Sequence, residues 1–393
     1  MGHVTFVVVK APTKQRTQPR TRTMQASAWS TIALAGAIVA CSAGGEGDAV
    51  GSSTSASAGG TASAGGAGGA STTTAVAGTG GGASTASAGG SQGSSCAPID
   101  GVVVAVDELF LGERTFQGVK TAAAWGEFGF DVDGVTTTND FSAHCLPYTG
   151  GTTAAFSDGK LGRDNSFGKN VRPLLESLVP SLDAQANESI ASGAFTMVLR
   201  FDGLGAEADK AKLVTKVYGG APLGSIPFWN GMDCWPIAYE DLEDPKDNGS
   251  AKTVFANATL TKNVWESNGT ATVTLPLNIL GQSLPIIVYG ARMQVELNAS
   301  HQGGAFGQLG GYVKTEEFVE AVRDTAGAID PSYCALLTSL VEDLRQTSDI
   351  LDDGTQDPAK TCNAISIGIG FTVLEVDFGA VASPIGIPAN PCP

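Results

Sequence analysis

The chain has 393 residues, and glycine, alanine, serine and threonine make up almost all of residues 42–95, the segment before Cys96. That segment has too little apolar bulk for a core, so we expect residues 96–393 to form one globular domain. The formal net charge is −16, although five of the 23 basic residues precede Met24. A surface this acidic repels phosphate backbones, which excludes nucleic acid as a partner and suits a divalent cation.

Residues 1–40 have the organisation of an export signal. Arg20 and Arg22 form a basic start, and residues 26–40 are apolar, uncharged and end in small side chains. This apolar stretch is shorter than the roughly 20 residues that a transmembrane helix needs. The sequence therefore predicts a cleaved signal peptide over residues 1–40.

The four residues Ile38, Val39, Ala40 and Cys41 resemble the lipobox of bacterial lipoproteins. The resemblance implies that Cys41 is acylated and becomes the first residue of the mature protein, stably attached to a membrane. Ser42 stands where an aspartate would retain enterobacterial lipoproteins at the inner membrane, which implies the outer membrane, on its periplasmic or cell-surface side. The alternative is an ordinary secretory signal in which this cysteine occurs by chance.

Between Cys41 and Cys96 the chain is low in complexity, as in the Gly-Gly-Thr-Ala-Ser stretch at residues 59–63. Such a composition buries too little apolar area to offset the entropy of ordering, so we predict a disordered linker over residues 41–95. A flexible chain of this length has a root-mean-square reach of about 40 Å. It would hold the globular part clear of the lipid surface.

Six cysteines remain after the lipobox: Cys96, Cys145, Cys234, Cys334, Cys362 and Cys392. An even number in an exported protein predicts three disulfides, and none of the spacings matches a zinc site. We expect Cys334 to pair with Cys362, because a helical pair is followed there by an adjacent strand. A bridge from Cys96 to Cys392 would tie the two ends of the domain together. Cys145 would then pair with Cys234.

Strand patterns dominate residues 96–393. Short β-branched or alternating runs occur at residues 101–106, 194–201, 212–218, 253–260, 271–275, 286–297 and 364–378. Asn248-Gly249 and Asn268-Gly269 are tight-turn dipeptides between them. The fold expected is mainly β, a disulfide-braced antiparallel β-sandwich of jelly-roll type with a few inserted helices.

Helical spacing is found in fewer places. Residues 165–179 carry apolar side chains at helical spacing, although Pro173 allows a regular helix only from about that position. Thr315 precedes acidic residues of a first helical turn, and Asp330 followed by Pro331 is a second helix start. These two helices lie between strands, so we predict a helical insertion at about residues 315–352.

Acidic residues cluster in two segments on either side of Cys145, and their candidate metal ligands are Asp131, Asp133, Asp158, Asp164 and Asn165. Closely spaced carboxylate and amide oxygens are what calcium requires, since it takes six to eight oxygen ligands. The second segment loosely resembles half of a thrombospondin type-3 calcium repeat. Asp-Gly also forms tight turns without any ion, which is the alternative. The acidic loop at residues 349–357 is interpreted as a turn that ends a helix.

Trp229 and Trp235 lie close together in a Pro-flanked loop beside Cys234. Exposed tryptophans on sandwich loops can stack on sugar rings, whereas the alternative is that both rings fill the edge of the sandwich. His144 and His301 have no metal-site spacing. We interpret His144, beside Cys145, as a structural histidine.

The strand at residues 362–371 and the Gly-Arg-Asp-Asn motif at residues 162–165 are similar to uncharacterised myxobacterial surface lipoproteins, which supply no activity. We therefore expect a lipid-anchored envelope protein with a non-enzymatic binding or structural domain, whose partner is a glycan or an envelope protein. The alternative is an exported hydrolase that acts on glycans through paired carboxylates. A deep cleft with two close carboxylates would favour the hydrolase, and an exposed Trp229 or Trp235 would favour binding.

Overall fold

The structure is a computed structural model that describes residues 96–384 and residue 392. The predicted signal peptide, Cys41 and the linker lie outside the described residues. Within the described part, no helix is both long enough and apolar enough to cross a bilayer.

The described chain contains eleven strands. They are β1 (Gly101–Phe110), β2 (Thr196–Asp202), β3 (Lys210–Gly220), β4 (Cys234–Ile237), β5 (Thr253–Thr261), β6 (Val264–Glu266), β7 (Ala271–Ile279), β8 (Gln282–Leu297), β9 (Gly303–Lys314), β10 (Ala364–Glu375) and β11 (Asp377–Val381). The prediction of a mainly β fold with a few helices is confirmed.

The strands form a continuous antiparallel ladder in the order β3-β2-β1-β10-β9-β8-β6-β5, and β5 pairs back onto β3. The sheet therefore folds over on itself, and its inner face encloses the core between opposite halves of the sheet, as the two layers of a sandwich do. β7 pairs with the first half of β8. Beyond β3 the ladder continues to β4, which pairs in parallel with β11, so that one pair makes the sheet mixed.

The strand β10 shows why the sequence pattern was a reliable guide. Ile365, Ile367, Ile369 and Phe371 are all buried in the core, at the alternate positions that point to one face of a strand. Its other face carries glycines. A Cβ at Gly368 would lie 2.4 Å from the Phe128 carbonyl oxygen, so only glycine lets the preceding loop pack directly on the strand.

Helices α3 (Thr315–Ile329) and α4 (Leu337–Arg345) occupy the predicted insertion, and α3 packs on β8 and β9. The predicted helix at residues 165–179 is a π turn, Phe167–Val171, followed by the short α1 (Arg172–Leu175), with Pro173 in its first turn. Helix α2 (Leu182–Ala191) was not predicted. Its buried Leu182, Ala186 and Ile190 recur every fourth residue, which is the signal that identifies it.

Three disulfides form as predicted in number, but all three predicted pairings are wrong. The bonds are Cys96–Cys234, Cys145–Cys362 and Cys334–Cys392. Cys96 meets the start of β4 because Ala97 is hydrogen-bonded to Phe378 of the neighbouring β11. Cys145 meets Cys362 because Leu146 and Thr361 form a parallel bridge. These neighbours are distant in sequence, so local patterns could not find them.

All three hydrophobic clusters and all three disulfides lie within residues 96–392. The largest cluster fills the space between the folded sheet and helices α2, α3 and α4, and a second lies under β4 and β11. Residues 96–393 therefore carry a complete core and are expected to fold without the preceding segment.

Candidate functional site

Three of the predicted metal ligands converge. The carboxylate oxygens of Asp131, Asp133 and Asp164 lie within 4.8 Å of one another, in the loops that pack on β10. One Asp164 oxygen accepts hydrogen bonds from the backbone amides of Val132 (2.7 Å) and Asp133 (3.3 Å). The Asp131–Gly134 turn is thus folded around the buried Asp164 side chain.

Asp131 and Asp133, which are only partly buried, also form tight turns, as predicted by the alternative to a metal site. Asp131 accepts a hydrogen bond from the Gly134 amide at 2.7 Å, and Asp133 accepts one from Val135 at 2.7 Å. The second oxygen of Asp133 accepts a hydrogen bond from the side-chain amide of Gln356 at 2.7 Å. Every one of these bonds uses a carboxylate oxygen as acceptor, so the loop depends on the charge state of the cluster.

Asp158 adds a fourth carboxyl group, which accepts a hydrogen bond from the Thr137 amide and whose charge acts on Asp164. Burial, with the charge of Asp133 second, raises the pKa of Asp164 to about 9. Burial is also the main reason that the pKa of Asp158 rises to about 6. Neighbouring buried carboxyl groups cannot all be ionised at low cost, so Asp164 keeps its proton at neutral pH.

Asp349 is the member that sequence reasoning missed. It is 7% exposed, and its carboxylate accepts hydrogen bonds from the Ser366 amide (2.8 Å) and hydroxyl (2.5 Å) on β10. Burial raises the pKa of Asp349 to about 7, and the charges of Asp133 and Asp158 contribute. An acid at the end of an amphipathic helix carries no local signal of such burial, because the contact is made with a strand 17 residues later.

The cluster has little compensating positive charge. Across residues 96–384, none of these carboxylates forms an ion pair with lysine or arginine. Lys169 is influenced by the charges of Asp349 and Asp158, but its ammonium group donates to the Ala154 carbonyl at 2.5 Å. Either protons or a hard divalent cation can neutralise such a group. Calcium binding stays a prediction here.

Asn165 is not part of the cluster, contrary to the prediction. Its amide oxygen accepts the backbone amides of Gly168 (2.8 Å) and Gly368 (2.9 Å). Its amide nitrogen donates to the carbonyls of Trp125 (2.9 Å) and Gly368 (2.9 Å). Both lone pairs of the amide oxygen and both N–H groups are thus used to hold the loop on β10, so the oxygen has no lone pair left for a metal.

His144 is buried, at 3% exposure, beneath the cluster. Its Nε2 is hydrogen-bonded to the Thr137 hydroxyl, and its ring stacks on Phe156 with centroids 5.2 Å apart. Burial lowers the pKa of His144, so the neutral ring is favoured. These contacts agree with its interpretation as a structural histidine.

The tryptophan pair does not form an exposed sugar platform. Trp235 is fully buried, and its indole nitrogen donates to the Ala221 carbonyl at 3.0 Å. Trp229 is half-buried, with its ring centroid 5.3 Å from that of Trp235. The ligand-binding prediction is wrong for Trp235, because its ring is needed in the core under β4 and β11. The alternative, in which both rings fill the edge of the sandwich, describes their packing.

An open groove that the sequence did not reveal lies beside the carboxylates. It has a volume of about 510 Å³ and is lined by Val132, Thr270, Ala271, Thr272, Tyr289, Gly290, Arg292, Tyr312, Asp353 and Gly354. The Tyr289 and Tyr312 rings stack with centroids 6.1 Å apart and an interplanar angle of 23°. Val132 connects the two features, since its amide is held by Asp164.

The groove combines flat aromatic faces with groups that form directional hydrogen bonds. Arg292 is exposed over the Phe130 ring at 4.9 Å, and Lys314 lies 4.2 Å above the Tyr289 ring. Two glycines flank Tyr312: a Cβ at Gly290 would lie 2.9 Å from its ring, and one at Gly354 would lie 3.0 Å away. Ring faces flanked by an arginine and a carboxylate suit a neutral or acidic sugar.

Protein-family models, curated proteins and solved structures were compared with the chain, and none of them matches it. The fold and the two sites described above are therefore the basis for a functional proposal.

Proposed function

We propose that this chain is a lipid-anchored protein of the bacterial outer membrane, which displays a non-enzymatic β-sandwich that binds an envelope or surface glycan. Two independent features support the anchor: the lipobox resemblance at Cys41, and six cysteines joined in three disulfides, which are typical of exported proteins.

The single observation that carries glycan binding is the stacked pair Tyr289 and Tyr312 in an open groove. The groove places Arg292 and Asp353 beside these rings, which gives hydrogen-bond partners for sugar hydroxyls. Of the carboxylates in the described structure, its lining contains only Asp353. Asp158, Asp164 and Asp349 do not line it and accept backbone or hydroxyl hydrogen bonds instead, which is why the hydrolase is not the function proposed.

Glycan binding is tested with residues 96–393 on a glycan array, with Tyr312→Ala beside the wild type. Tyr239→Ala is the matched control, because Tyr239 is 39% exposed in a separate short turn. Loss of one stacking ring should weaken binding about tenfold, the ratio that corresponds to 1.4 kcal/mol. Equal binding by both variants, or turnover of a bound glycan by the wild type, would contradict the proposal.

The anchor is tested separately in cells. Palmitate labelling of the wild type and of Cys41→Ser, with and without globomycin, should give label only on the untreated wild type. An unlabelled wild type would contradict lipid attachment whatever the array shows.

A further inference from the structure

An exposed apolar loop stands beside the point where the described chain begins. Ile226, Phe228 and Met232 are 73%, 79% and 69% exposed, and they are three of the four most exposed large apolar side chains in residues 96–384. Single exposed apolar residues are ordinary, but three within seven residues form a contiguous apolar tip that marks an interaction surface. We call residues 224–232 the apolar loop.

The apolar loop is held in its exposed position by buried contacts at its base. The Asp233 carboxylate, 6% exposed, accepts hydrogen bonds from the backbone amides of Phe228 (3.0 Å) and Trp229 (2.7 Å). Trp229 packs on the buried Trp235, so alternate side chains point inward and outward. The outward set cannot turn into the core without breaking these contacts.

The position of the loop in the fold relates it to the membrane anchor. Cys234, two residues after Met232, is disulfide-bonded to Cys96, with their Cα atoms 5.2 Å apart. The segment that connects Cys41 to the domain therefore enters the fold next to the apolar loop. The linker alone leaves the domain free to stand clear of the bilayer, but a lipid on Cys41 would confine it within the linker's reach of about 40 Å. At the resulting effective concentration, a weak contact of this face with the bilayer suffices.

The chemistry of the loop fits a lipid surface by apolar insertion. Residues 221–236 contain no lysine, arginine or histidine, and their single charged residue is the buried Asp233. Glu375 lies beside Gly231, and Asp377 is the strand partner of Cys234, so the surroundings are acidic. Attraction to anionic headgroups is thereby excluded, and the favourable energy comes from burial of Ile226, Phe228 and Met232.

We propose that the apolar loop inserts into the same membrane leaflet that holds the lipid anchor, and so gives the domain a second membrane contact. The proposal rests on the proposed function for the anchor, but the insertion itself is a property of residues 96–393. With the loop inserted, the orientation of the domain is fixed relative to the bilayer instead of being free on its linker.

The test measures flotation of residues 96–393 with phosphatidylcholine vesicles, at low and high salt. The variants are Phe228→Ser and the double variant Ile226→Ser/Phe228→Ser, and the control is Leu161→Ser, since Leu161 is 86% exposed in a different loop. We expect the wild type and the control to bind equally at both salt concentrations. Phe228→Ser should bind about tenfold more weakly, and the double variant should bind more weakly still.

A second measurement reports depth directly. In a Phe228→Trp variant, brominated lipids should quench the new tryptophan more strongly than the half-buried Trp229 and the other tryptophans of the wild type. The exposed position of residue 228 means that thermal unfolding should be unchanged in these variants, which separates loss of binding from loss of fold.

Three outcomes would overturn the inference. They are no flotation of the wild type, equal flotation of the wild type and the double variant, and a dimer of residues 96–393 that Phe228→Ser dissociates, which would assign the loop to a contact between copies. Palmitate labelling of Cys41 is independent of all three, so failure of the anchor and failure of the insertion can be told apart.

Discussion

Replacement of Asp164 by asparagine tests whether the carboxylate cluster retains a proton on this side chain. The oxygen of the new amide can accept the same hydrogen bonds from Val132 and Asp133, and the side chain carries no charge. Asp164→Asn therefore mimics the protonated side chain at every pH. Asp140→Asn is the control, because Asp140 is an exposed acid in the loop between Asp133 and Cys145.

The magnitude follows from linkage between protonation and folding. The pKa of Asp164 is raised to about 9 from a usual 3.8. The protonated Asp164 contributes fully to the free energy of unfolding below pH 3.8. This contribution is lost as the pH rises from 3.8 towards 9, because only the unfolded state releases the proton between these values. The free energy of unfolding thus falls by about 1.4 kcal/mol per pH unit, or about 4 kcal/mol between pH 5 and pH 8.

The assay is urea unfolding of residues 96–393 at pH 5 and pH 8 in chelator, followed by the fluorescence of the buried Trp235 and Trp265. The wild type and Asp140→Asn should lose this stability between the two pH values. Asp164→Asn should lose about 4 kcal/mol less. The slope that remains belongs to the other buried acids with a raised pKa, which act in the same direction: Asp349 up to about pH 7, and Asp158 and Asp183 up to about pH 6. A wild type with equal stability at both pH values, or an unchanged slope in Asp164→Asn, would contradict a proton retained on Asp164.

Three further predictions concern the cation, a disulfide and the groove. At pH 8, calcium at about 100 times its dissociation constant should raise the free energy of unfolding of the wild type by about 2.7 kcal/mol and leave that of Asp164→Asn unchanged. If calorimetry shows no calcium-dependent shift in the melting temperature of the wild type, the calcium prediction is wrong. The double variant Cys145→Ala/Cys362→Ala opens a loop with a sequence separation of 217 and should lose about 5 kcal/mol in urea unfolding, whereas a loss below about 1 kcal/mol would contradict the chain-entropy argument. Gly354 and Gly118 both have a positive φ (78° and 76°), so replacement by alanine costs a similar strain energy at either position. Only a Cβ at Gly354 would contact Tyr312, so glycan-array binding should fall in Gly354→Ala and not in Gly118→Ala. Equal binding by the two variants would contradict the assignment of the groove as the glycan site.

Much of the architecture could be predicted because it depends on local patterns. The alternation in β10, the helix starts at Thr315 and Asp330, and the even number of cysteines each reflect a rule that acts over a few residues. The convergence of Asp131, Asp133 and Asp164 also had a local signal, because acids before glycines formed turns in two neighbouring segments.

The rest depends on which distant segments meet. The disulfide pairings follow from the parallel contact of β4 with β11 and from the bridge between Leu146 and Thr361. The Tyr289–Tyr312 pair depends on the β8–β9 register, which shifts directly after Tyr289. The sequence of the apolar loop shows that it contains several large apolar residues, but not which of them are exposed. The hydrogen bonds from Phe228 and Trp229 to Asp233 hold the loop so that Phe228 is exposed and Trp229 is half-buried.

We propose that a lipid on Cys41 fixes this disulfide-braced domain to the bacterial envelope. Intact mass spectrometry of the mature protein, extracted from the membranes of its native host, tests it most directly. We expect a chain that begins at Cys41 and carries a diacylglyceryl group and an amide-linked acyl chain. A free thiol at Cys41, or a product that retains residues 1–40, would contradict it.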